Sequence, residues 1–250
     1  MIRLKNEVEM ARIRDSCAVL VEALRAVEGL IAPGVTTEAL DRAAHECIIG
    51  NEAKPSFLGY MGYPASLCVS INNEVIHGIP GKRRLREGDI VSLDLGVELK
   101  GYYSDMARTY PVGRISEDRQ KLLTVTRECL ELATEAAVCG NRIHDIARAV
   151  SGRAARNGFG VVRQYCGHGV GFAQHEDPQI PNYIGSGPNA RLKPGMTIAI
   201  EPMINAGSWE VEILDDDWTV VTADGSDSAH FEYTLAIHRN RTEILTPFGS

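Results

Sequence analysis

Apolar positions Ile13, Cys17, Leu20, Leu24, Val27 and Ile31 recur at spacings of three and four, one face of an amphipathic helix. The Pro33-Gly34 pair predicts its stop. Thr36 or Thr37 supplies a cap for a second helix running to about Ile49-Gly50. The pattern returns at Leu122, Val125, Cys129, Leu132, Ala136 and Cys139. Gly140 ends that helix, and another is expected from about Ile143 to Asn157-Gly158.

The recurrence extends to the residues themselves. Gly34-Val-Thr-Thr-Glu-Ala-Leu40-Asp-Arg42-Ala-Ala matches Gly140-Asn-Arg-Ile-His-Asp-Ile146-Ala-Arg148-Ala-Val, and the run from Leu85 to Asp94 matches the run from Leu192 to Glu201. A repeat this long implies duplication of a half-domain rather than a solenoid unit. The expected organisation is one domain over 1–250, with half-repeats of about 1–115 and 116–250. Within each half, helices come early and apolar, β-branched stretches come late. Turn pairs such as Asn72-Asn73, Glu87-Gly88 and Pro194-Gly195 punctuate those stretches. Residues 218–222 and 230–238 read as a hairpin around Asp224-Gly225. The expectation is an α+β fold with a mostly antiparallel sheet, the halves sharing one sheet and one core.

Composition narrows the function. A chain of 250 residues, 44% hydrophobic and 24% charged, can bury a sizeable core. Its net charge of −7 argues against nucleic acid as a sequence-specific partner. The short basic run Lys82-Arg83-Arg84 with Arg86 reads as a solvated turn. No apolar run spans a membrane, and the N-terminus lacks an apolar signal core. Six scattered cysteines, none in a C-x-x-C pair, fit reduced thiols in a cytoplasmic protein rather than a thiolate zinc site.

The candidate chemistry is acidic. The repeat puts a carboxylate at the end of an apolar strand in both halves, Asp94 and Glu201. One such acid is readily explained by a salt bridge; two at the same repeat position are not. Asp105 and Glu232 each follow a partner acid after a turn and can return beside it. Four converging carboxylates repel one another, and two divalent cations would balance them. A nitrogen donor is expected from His168, in a tight loop whose flanking Gly167 and Gly169 let the backbone approach and clear space for a metal. An oxygen-rich set with one imidazole suits Mn, Fe(II), Co or Zn. His77 and His175 read as catalytic rather than ligating; His175, seven residues after His168, is expected to face the same cavity.

These residues resemble those of the type I methionine aminopeptidases, short bacterial members of the pita-bread metallopeptidases. The resemblance covers nearly the whole chain. It is carried by the segments 70–80, Asp94-Leu-Gly96, Ser104-Asp105-Met-Ala-Arg-Thr109, Cys166-Gly-His168-Gly-Val-Gly171, Ile200-Glu201-Pro202 and Ser228-Ala-His-Phe-Glu232-Tyr-Thr234. It implies two pseudo-symmetric halves around a curved sheet. It also implies that Asp94 binds one metal, Asp105 and Glu232 bridge two, and His168 and Glu201 bind the other. The implied reaction is removal of the initiator methionine from nascent polypeptides with a small second residue, by a cytoplasmic monomer working at the ribosome.

In that reading a metal-activated water attacks the scissile carbonyl. Glu201 moves the proton, His175 stabilises the oxyanion, and His77 contacts the scissile nitrogen. Tyr60, Tyr63, Cys68 and Trp218 would line the methionine pocket, a soft aromatic surface suited to a thioether. One position departs from the family. Before the second histidine an apolar residue, commonly Phe, is usual; here it is Gln174, expected to move the pocket wall or alter tolerance at the first or second substrate residue. Two other readings stand beside this one. An Xaa-Pro peptidase of the same fold would usually carry an extra N-terminal domain, whereas this chain begins directly with the first helix. A catalytically silent homologue would have lost ligands.

Overall fold

The computed structural model describes residues 1–187 and 189–247. The first half runs α1 (Glu7–Glu28), α2 (Thr37–Gly50), β1 (Lys54–Pro55), a 3-10 turn (Tyr60–Gly62), β2 (Leu67–Ile71), β3 (Glu74–Ile76), β4 (Ile90–Leu99) and β5 (Tyr102–Pro111). The second runs α3 (Glu117–Ala136), α4 (Ile143–Arg156), β6 (Gly160–Val161), β7 (Gly167–Gly169), β8 (Glu176–Ile180), β9 (Thr197–Ile200), β10 (Met203–Asn205), β11 (Val211–Ile213), β12 (Val220–Thr222), β13 (Ser228–His230), β14 (Tyr233–Ile237) and β15 (Thr242–Ile244).

The four expected helices form, and two of them stop before their apolar stripe does. Helix α1 opens on a capping box between Asn6 and Glu9 and ends at Glu28. The N–H groups of Leu30 and Ile31 then turn back to Val27 and Glu28, yet Ile31 still packs on the same core. Cys139 likewise reaches its core from beyond the end of α3. The threonine cap is also different. Thr36 makes no side-chain cap, and Thr37 instead ties α2 to Gly81 through both the N–H and the carbonyl of that residue.

The duplication is visible in matching hydrogen bonds. The Gly34 N–H bonds the carbonyl of Leu85 at 2.7 Å, and the Gly140 N–H that of Leu192 at 3.0 Å. Arg84 and Arg191 each donate at 2.5 Å to the carbonyl of the corresponding glycine. Both glycines sit at positive φ, +91° and +97°, where a side chain would be strained. The basic run is exposed as expected, but Arg84 is spent on this turn and Arg83 pairs with Glu74.

Among the described residues all strand pairing is antiparallel and falls into four groups rather than one sheet. In the first half, β4 pairs with β1, β2 and β5; in the second, the order is β15-β14-β9-β7-β8. The two largest clusters of buried apolar side chains also divide between the halves. One cluster joins α1 and α2 to β2, β4 and β5, and the other joins α3 and α4 to β9, β13 and β14. The expected hairpin around Asp224-Gly225 does not form. The turn is there, with Gly225 N–H bonded to Thr222, but β12 pairs with β11 and β3, while β13 pairs with β10 and β14 with β9 and β15. Each strand finds a better-placed neighbour elsewhere in the chain.

Strand alternation explains where the polar residues go. In β4, Val91, Leu93, Leu95 and Val97 enter the first core, which turns Ser92, Asp94 and Gly96 to the opposite face. In β14 and the residues before it, Phe231, Tyr233 and Leu235 enter the second core, which turns His230, Glu232 and Thr234 away. These two polar faces meet at a seam between the halves. Thr109 and Thr234 stitch it: the Thr109 hydroxyl donates to the His230 carbonyl at 2.9 Å, and the Thr234 hydroxyl to that of Asp105 at 2.7 Å. The Glu232 N–H bonds the Ala107 carbonyl at 2.8 Å.

Candidate metal centre and peptide cavity

Asp94 lies mid-way along β4, not at its end as the repeat suggested, because that strand continues to Leu99. The β4–β5 register sets Asp105 opposite Gly96 and Asp94 opposite Ala107, so both acids emerge on the seam side. Tyr233 faces Ile200 in the β14–β9 ladder, which brings the adjoining Glu232 and Glu201 alongside. His168 is not in a loop. It is the middle residue of β7, paired with Ala199 on β9. Its glycines serve the strands: a Cβ on Gly167 would stand 2.3 Å from the Ala199 carbonyl oxygen, and one on Gly169 2.3 Å from that of Asp177. What they admit is neighbouring backbone rather than space around a metal.

The electrostatics are uncompensated. Asp94, Asp105 and Glu232 are buried and Glu201 partly so, and among the described residues the only ion pairs of these four acids run to histidine. His168 Nε2 is 3.5 Å from Asp105 Oδ2 and 3.6 Å from Glu201 Oε1. Asp94 Oδ1 and Glu232 Oε1 have no hydrogen-bond partner. Burial pushes the Asp94 carboxyl well above the usual range, and the charges of Asp105 and Glu201 add to it. Glu232 is pushed up by burial and then by Asp105, Glu201 and Asp94. For His168 burial works downward, but Asp105 and Glu201 outweigh it and the imidazole is raised. Orphaned anionic oxygens beside an imidazole are what a hard-to-borderline cation takes up. Asp105, His168 and Glu232 each offer a ligand atom, all within 4.8 Å of one another.

The cluster opens into a cavity of about 340 Å³. All eleven residues singled out in the sequence line it: Asp94, Asp105, His168, Glu201 and Glu232 at the acidic end, with His77, His175, Tyr60, Tyr63, Cys68 and Trp218 around them. Tyr63 and Trp218 meet edge to face with ring centroids 5.0 Å apart. The His175 ring lies 4.3 Å from that of His168, tilted 55° to it, and its Nδ1 is 2.9 Å from the Tyr60 hydroxyl. His77 holds a left-handed backbone at φ +60°, and Gly78 beside it lets that turn press on Val69. Burial lowers the His77 imidazole to about 4, which keeps it neutral.

Sequence reasoning missed three residues and misjudged a fourth. Phe57 and Met61 also line the cavity, from an irregular segment that no periodicity marks. His230 lies behind Glu201, 3.6 Å from its Oε2, with neither ring nitrogen hydrogen-bonded. Its place two residues before Glu232, on the same face of an extended chain, was the available signal. Gln174, expected to move the pocket wall, is absent from the lining; it is buried and bonds Asp105 instead.

Residues 11–239 match Metallopeptidase family M24. The chain belongs to that family. A methionine aminopeptidase of Clostridium perfringens is 50% identical over 246 residues, 98% of this chain and 99% of the relative. Among solved structures, a methionine aminopeptidase from Thermotoga maritima superposes with TM-score 0.96 at 44% identity, covering 99% of this chain and 100% of that one. A prolidase from Pyrococcus furiosus is more distant, with TM-score 0.80 at 25% identity over 99% of this chain but 66% of its own length. The fold is thus the family's two-halved pita-bread arrangement. No helix of the described residues is long and apolar enough to cross a membrane.

Proposed function

We propose that the chain is a metal-dependent aminopeptidase that removes N-terminal methionine from nascent polypeptides whose second residue is small. The observation that carries this is a buried cluster of carboxylates and one imidazole opening onto an aromatic- and thiol-walled cavity. Near-full-length identity of about half to a methionine aminopeptidase supports the substrate. The cytoplasm, a monomeric state and action at the ribosome belong to the same reading.

Asp94, Asp105, His168, Glu201 and Glu232 would hold two divalent ions, with Co, Mn, Fe(II) and Zn all suited to the donors. Bound there, the ions supply Lewis acidity and a water acidified to near neutrality. Glu201, the most accessible of the four acids, accepts the water proton and returns it to the leaving amine. His175 donates to the developing oxyanion. A Tyr60 hydroxyl donating to Nδ1 keeps the His175 proton on Nε2, the tautomer this role needs. His77, neutral because buried, contacts the scissile nitrogen. Tyr63, Trp218 and Cys68 receive the methionine thioether, whose sulfur favours aromatic neighbours. Burial and the Asp94 charge hold the Cys68 thiol protonated, so that wall stays apolar.

The test is a peptide panel. Free methionine should appear from Met-Ala-Ser, far less from Met-Leu-Ser, and no cleavage should occur at Ala-Pro. Cleavage of Ala-Pro with Met-Ala-Ser intact would favour the Xaa-Pro peptidase.

A further inference from the structure

Gln174 stands where an apolar side chain would fill the same space, and it is 2% exposed. Burying an amide is costly unless it is hydrogen-bonded, and here only the nitrogen end is, Oε1 having no partner among the described residues. Its Nε2 donates to Asp105 Oδ2 at 2.5 Å, while Asp105 Oδ1 accepts the Met106 N–H at 3.0 Å. Each Asp105 oxygen thus has one donor and one lone-pair direction left. Gly96, opposite Asp105 in the β4–β5 ladder, makes the room: a Cβ there would stand 2.9 Å from Gln174 Oε1. The segment carrying Gln174 is anchored as well. Glu176 Oε1 accepts the N–H groups of Phe172 and Ala173, and Lys5 holds the other oxygen of that carboxylate.

We propose that Gln174 is a positioning residue of the metal centre, its amide N–H fixing the plane of the Asp105 carboxylate so that one lone pair on each oxygen faces an ion. This rests on the reading of Asp105 as a bridging ligand. Outer donors to metal-ligating carboxylates commonly set affinity as much as the ligands do. An apolar residue at this position would leave Oδ2 beside His168 alone, free to rotate about its Cβ–Cγ bond.

The experiment is Mn(II) titration of metal-free protein, followed by the electron paramagnetic resonance signal of unbound Mn(II), for the wild type, Gln174→Met and Gln174→Leu. Both variants keep the volume and lose the donor. The expected result is Mn(II) affinity lower by about 10- to 100-fold, a shifted Co(II) d–d absorption spectrum, and an unchanged thermal midpoint of the metal-free protein. Unchanged affinity and superimposable Co(II) spectra in whichever variant folds would overturn the proposal while leaving the metal reading intact. A wild type that takes up no Mn(II) would overturn both.

Discussion

Lys5 Nζ lies 2.8 Å from Glu176 Oε2, and the two side chains are only 1% and 6% exposed. The segment before α1 is thereby fastened to the loop that carries Gln174 and His175. The pair is nearly dry, so the Lys5 ammonium is held below its usual range by burial, with Glu176 opposing.

Removing one partner should therefore cost more than a surface ion pair would. Lys5→Met leaves the Glu176 charge buried and uncompensated, and the expected loss is about 3–5 kcal/mol in urea denaturation. Hydrogen exchange at Phe172 and Ala173 should quicken. A change no larger than that of an exposed pair would mean water already reaches Glu176.

The glycines beside His168 make a second prediction. Gly167→Ala puts a methyl 2.3 Å from the Ala199 carbonyl oxygen, inside the β7–β9 ladder. Strain of about 1–3 kcal/mol or more is expected, with weaker metal uptake as His168 shifts. Gly152, inside α4 with nothing within 4 Å of its Cβ position, is the control. Gly152→Ala should stabilise by about 0.5–1 kcal/mol. Equal thermal shifts for the two would refute the steric account.

Glu201→Ala should abolish turnover, since that side chain is assigned both a ligand and a proton-transfer role. His77→Ala should lower kcat strongly with metal content retained, as read by metal analysis of the purified variants. Loss of metal from His77→Ala would make it a ligand.

Acid stability should respond to Glu243. Arg14 bonds both its oxygens at 2.8 and 3.0 Å, and with His238 adding a further bond, its carboxyl falls from an ordinary 4.5 to about 2 despite some burial. A depressed folded-state value favours the ionised, folded form. Its contribution is complete above about pH 5 and declines as pH falls from 4.5 toward 2. The stability gap between the wild type and Glu243→Gln, by urea denaturation, should be wide at pH 7 and narrower at pH 4. A constant gap would contradict the linkage.

How much of this was legible beforehand depended on the kind of signal. Helix spacing found all four helices, and self-similarity found the duplication, since Gly34 and Gly140 need the same turn. The four acidic ligand candidates were legible because carboxylates in apolar strands are conspicuous. Strand partners were not. The turn at Asp224-Gly225 is local and was read correctly, but its flanking strands pair with other strands rather than with each other, β12 with β11 and β3, and β14 with β9 and β15. His168 was misplaced for the same reason: its glycines admit strands that the local sequence does not identify. Gln174 drew notice only as a departure, because its role depends on a carboxylate 69 positions earlier.

The most direct measurement is stepwise addition of Mn(II) to chelated protein, with bound metal and methionine released from Met-Ala-Ser followed together. The account predicts no methionine before metal is added, release that grows as metal binds, and saturation at two ions per chain. Methionine released in excess chelator, or an intact peptide beside fully loaded protein, would contradict it.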